Sequence, residues 1–90
     1  MKTDIQAAAE RIARMEEIFD RLLAAAEKDP GSIRRDTALS AALDTLLDYY
    51  ENGTWLRDHE TDEAGLLPAG LKRGVLSEDG VYDLLTDIQI

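Results

Sequence analysis

The first 28 residues contain neither Gly nor Pro and are rich in Ala, Glu, Arg, Met and Leu, the residue types that lose least conformational freedom in a helix. Within them Ile5, Ala8, Ile12, Met15, Phe19, Leu22 and Ala26 recur at alternating intervals of three and four, a seam of heptad period. The combination predicts one long helix over residues 3–28 with a single face packed on another helix. Thr3 followed by Gln6 marks its start as a capping box, in which the hydroxyl accepts from the Gln6 amide and the Gln6 side chain accepts from the Thr3 amide. Glu10 with Arg14 and Glu17 with Arg21 stand four apart in the favourable acid-first order, each adding about 0.2 to 0.5 kcal/mol.

Asp29, Pro30, Gly31 and Ser32 interrupt this pattern, because Pro30 has no amide proton and Gly31 turns without steric cost. A second helix is expected over residues 32–52, capped by Ser32 or Asp36. Its stripe is Leu39, Ala42, Leu43, Leu46, Leu47 and Tyr50, and Asn52 and Gly53 form its stop. Residues 3–52 therefore read as an antiparallel helical hairpin. Residues 53–76 read as an acidic segment of local helix or loop, with Trp55 and Leu56 its large apolar side chains, followed by an apolar loop rich in Gly. Residues 77–88 read as a short last helix capped by Ser77, with Glu78 and Asp79 at its positive end and Val81, Leu84, Leu85 and Ile88 as its buried face. The fold class is all-α, a single domain over residues 1–90.

Ninety residues give such a domain a thin core. Ten basic against nineteen acidic side chains leave a net charge of −9, which repels nucleic-acid phosphates and anionic membranes and favours solubility or a basic partner. Cysteine is absent, which excludes disulfides, thiolate metal sites and Cys nucleophiles. The longest apolar run, residues 22–26, is too short for a membrane span or a signal-peptide core, so a cytoplasmic location is expected.

Motifs for chemistry are weak. His59 and Glu63 share a helical spacing that suits a divalent metal, but one His without Cys cannot complete a structural zinc or di-iron set. Asp58, Glu60 and Asp62 alternate as in a calcium loop, yet Glu63 stands where that loop needs Gly and Ala69 where it needs the bidentate Glu. A glycosidase-like carboxylate pair would lack a cleft to raise one pKa. These side chains accordingly read as solvated acidic surface. Lys72 and Arg73 read as ion-pair partners of residues 58–63 rather than as an anion site, and Tyr49, Tyr50, Trp55 and Tyr82 as core packing. No enzyme, metal or other cofactor is expected.

From Tyr49 onward the chain carries Tyr49-Tyr50, Trp55, Asp58, Asp62-Glu63, Leu67-Pro68, then Leu71-Lys72-Arg73-Gly74-Val75-Leu76-Ser77-Glu78-Asp79, Tyr82 and Leu84-Leu85. In this pattern it resembles a family of small bacterial domains of unknown function with a long amphipathic N-terminal helix, and residues 71–79 are the specific part. The resemblance implies a shared helical fold and transfers no activity or cofactor. Trp55, Asp58, Asp62, Glu63, Leu71, Lys72, Arg73, Gly74, Ser77 and Tyr82 are the candidate interaction or structural residues.

The function expected from the sequence is a non-enzymatic protein-interaction module that self-associates as a homodimer through the N-terminal seam. A helix over residues 4–28 measures about 38 Å, longer than a globule with a radius of gyration of about 12 Å. The alternative is an acidic decoy or inhibitor covering a basic, nucleic-acid-binding protein. Residues 71–79 are expected to form a clasp, with Leu71, Val75 and Leu76 inserted beneath the hairpin.

Overall fold

Thr3 caps the first helix of the computed structural model, which describes residues 3–77 and 79–88. The reciprocal bonds of the capping box, Gln6 N–H to Thr3 Oγ1 and Thr3 N–H to Gln6 Oε1, are both 3.0 Å. From there α1 runs over Asp4–Lys28 and ends where the Asp29 amide donates to the Ala25 carbonyl. At 1.5 Å per residue it is about 38 Å long, and the molecule itself measures 39 × 25 × 24 Å. The helix spans its own domain instead of outrunning it, so its length gives no reason for a second chain.

The seam packs within the chain. Ala8, Ile12, Phe19 and Leu22 are buried, Met15 and Ala26 are partly buried, and Ile5 at the N-terminal end remains exposed. Its partners are α3, α5, the single turn over residues 32–35 and the turn between residues 74 and 76. From Ala8 to Ala26 the seam's apolar face is thus covered within the chain, which leaves Ile5 as its exposed member.

The second helix is two helices. Ser32–Arg35 form a single turn, α2, which carries Ile33 fully into the core, and Thr37–Glu51 form α3. Asp36 between them is extended and its carboxylate accepts from the Leu39 amide at 3.0 Å. Of the two candidate caps only Asp36 caps a helix, α3; Ser32 is the first residue of α2, and its hydroxyl donates to the Asp29 carbonyl at 2.7 Å in the turn after α1. Gly53 stands at φ +94°, the left-handed conformation open to Gly, and redirects the chain into α4, Thr54–Glu63. The acidic segment is therefore regular helix.

After a loop, Gly74–Leu76 make one 3₁₀ turn and Gly80–Ile88 make α5. Ser77 is not the first cap of α5. It closes the 3₁₀ turn and is exposed, and its carbonyl accepts from the Gly80 amide at 3.3 Å. Glu78, expected at the positive end of this helix, lies outside the described residues. The architecture is all-α, and the described residues contain no strand. No helix among them is long and apolar enough to cross a membrane.

Candidate functional site

On α4 the side chains of Trp55, Asp58, His59 and Asp62 stand at helical spacings i, i+3, i+4 and i+7, which places them on one face. That face meets α3 and the 3₁₀ turn. Trp55 Nε1 donates to the Val75 carbonyl at 2.8 Å, and His59 Nδ1 lies 2.9 Å from the Leu76 carbonyl. Because a carbonyl only accepts, this bond requires the proton on Nδ1. The imidazole stacks on the Trp55 ring, 4.9 Å between centroids and 9° between planes, and Tyr50 meets Trp55 edge-on at 5.2 Å.

From the opposite side Glu16 of α1, 6% exposed, accepts from the Val75 amide at 2.8 Å. The turn is thus gripped by its backbone from two helices. A Cβ at Gly74 would lie 2.9 Å from Glu16 Oε1, so the Glu16 carboxylate would have to shift to admit it. Gly80 is confined more firmly, by backbone: its Cβ would lie 2.8 Å from the Gly74 carbonyl and 3.3 Å from Phe19. Val75 and Leu76 enter the core, while Leu71 is partly buried.

The basic residues of the signature separate. Arg73 pairs with Asp62 at 2.8 Å and also donates to the Pro68 carbonyl at 2.7 Å. Lys72 reaches α1, where its ammonium donates to Asp20 at 2.8 Å, and this bond raises its pKa. Only Arg73 therefore meets the acidic segment, and the Lys72 expectation is corrected.

Asp58 forms a second node. It is 1% exposed and accepts from Arg11 through Nε at 2.9 Å and through Nη2, and from the Tyr49 hydroxyl at 2.6 Å. The paired carboxylate raises the Arg11 pKa. Burial first, and then the bond to Asp58, push the Tyr49 phenol far above its ordinary 10.0. The reading of Asp58 as solvated surface is overturned, as is that of His59, whose side chain is 15% exposed. Glu63 stays on the surface and meets His59 Nε2 at 3.1 Å. Tyr82 is 63% exposed and does not join the core.

The arrangement holds polar groups as hydrogen-bond partners of one another and of backbone. Among the described residues, no three His, Cys, Asp or Glu side chains converge as metal ligands would. Sequence reasoning missed Arg11 and Glu16. Glu16 carried a signal, lying four residues after Ile12 and three before Phe19, on the buried stripe of α1. Beside the Arg11–Asp58 pair a groove of about 540 Å³ opens between α1 and α4, lined by Ile5, Ala8, Arg57, Thr61 and Leu66.

A family model described as "Domain of unknown function (DUF4298)" matches residues 12–90. No curated protein and no solved structure matches the chain.

Proposed function

We propose that this chain, which belongs to the DUF4298 family, works as a non-enzymatic protein-interaction module that presents a surface rather than transforming a ligand. One observation carries the reading. The buried carboxylates Glu16 and Asp58 and the partly buried Trp55 are all engaged in bonds that hold the fold, while Ile5 and Leu66 stand 37% and 55% exposed around an open groove. Exposed apolar side chains gathered at a concavity suit recognition of another protein. The test is affinity capture from the native host with the wild-type chain and with Leu66→Glu. Capture that depends on Leu66 supports the module, and identical capture by both chains contradicts it.

A second reading, an acidic decoy for a basic protein, is favoured by α5. Asp79, Asp83 and Asp87 follow one another at i, i+4 and i+8, and none of them forms an ion pair among the described residues. Asp79 precedes α5, and within the helix the like charges of Asp83 and Asp87 cost stability. Binding through this stripe should weaken as salt rises.

A further inference from the structure

We infer that the groove between α1 and α4 is closed by a second copy of the chain, related by a two-fold axis. This rests on the interaction reading above and names the partner. The apolar part is continuous, because Ile5 lines both this groove and a neighbouring one that includes Ala9 and Pro68.

Charge selects the occupant. The groove is lined by Asp4, Asp58, Arg11 and Arg57, two charges of each sign, in a chain of net charge −9. Arg11 and Asp58 neutralise each other. Asp4 and Arg57 remain, and neither forms an ion pair among the described residues; Arg57 makes one long bond, 3.4 Å, to Thr54 Oγ1. A patch with one unpaired acid and one unpaired base beside exposed Ile5 and Leu66 is complementary to itself. A two-fold axis through it sets Asp4 against Arg57 twice and brings the apolar side chains together. A strongly basic or strongly acidic partner would leave one of the two charges facing its own sign.

The patch is small, so the dimer is weak and concentration-dependent. Two chains of charge −9 repel at long range, and salt screens that repulsion. Raising salt should therefore strengthen this dimer, the opposite of its effect on a basic partner.

Sedimentation equilibrium from micromolar to millimolar protein tests the inference. The wild-type mass should rise from 10.0 kDa towards twice that value. Leu66→Glu should abolish the rise, and Asp4→Lys or Arg57→Glu should each weaken association by at least about tenfold. The double variant Asp4→Lys, Arg57→Glu should restore it, since the pairs re-form with reversed sign. All three positions are on the surface, and an unchanged circular-dichroism melt confirms that each variant is folded. A wild-type monomer throughout, a Leu66→Glu chain that still dimerises, or a double variant no better than the singles would overturn the proposal. A monomer whose capture of a different protein depends on Leu66 would overturn the second copy and leave the interaction reading standing.

Discussion

Between α1 and α3 the chain is held by Ile12, Leu22, Leu43 and Leu46, all fully buried in one apolar cluster, whereas between α4 and the 3₁₀ turn it is held by directed bonds from Trp55 and His59 to backbone carbonyls. The first region needs volume and tolerates small shifts of its partners. The second needs particular atoms at particular places, down to the missing Cβ of Gly80. Apolar packing therefore sets how strongly the hairpin is held, and the polar grip sets where the C-terminal third of the chain lies.

The largest loss of stability is expected in the apolar region. Leu46→Ala removes a fully buried side chain and should cost about 2 to 5 kcal/mol, read as a lower urea midpoint with an unchanged slope. At the polar node Asp58→Ala should cost about 2 to 3 kcal/mol. Loss of a buried pair is worth more than that when both partners are enclosed, but the Arg11 side chain is 31% exposed and water covers part of the charge left behind.

Tyr49→Phe sharpens the contrast through pH. The folded protein holds the phenol proton well above 10.0, while the unfolded chain releases it from about that value. The unfolded state therefore loses protons first, and the stability contributed by the buried phenol is complete below pH 10 and declines as pH rises beyond it. Wild-type urea midpoints should fall on that alkaline side more steeply than those of Tyr49→Phe. Parallel curves would mean that Tyr49 is not held as described. The smallest effect is expected at Ser77→Ala, within about 0.5 kcal/mol, because α5 begins at Gly80 and the Ser77 side chain is exposed. A loss of about 1 kcal/mol would restore Ser77 as the cap of the last helix.

What the sequence disclosed follows the same division. The three-and-four spacing from Ala8 to Leu22 and the stripe of Leu43 and Leu46 are apolar repeats on a helical period, and such repeats report a buried face directly. The face of α4 is buried as well, but it is written in Trp, Asp and His, so hydropathy reads it as surface. Its spacing became meaningful only once Val75 and Leu76 were placed against it. Asp58 shows the limit most clearly: its partners, Arg11 and Tyr49, lie 47 and 9 residues away, and no local pattern connects them. Ser77 misled for the reverse reason. Ser-Glu-Asp is a good local start for a helix, yet the close packing of Gly80 on the Gly74 carbonyl sets the boundary three residues later.

The claim that residues 74–76 are gripped by their backbone is tested most directly by native-state hydrogen exchange at the Val75 amide, whose proton is accepted by Glu16. In the wild-type chain this amide should be protected to nearly the level of Leu46 in α3. In Glu16→Ala its protection should fall at least about tenfold further than that of Leu46, since a buried donor loses its acceptor while α3 feels only the global change. A Val75 amide that exchanges freely in the wild type, or that follows Leu46 in the variant, would contradict the account.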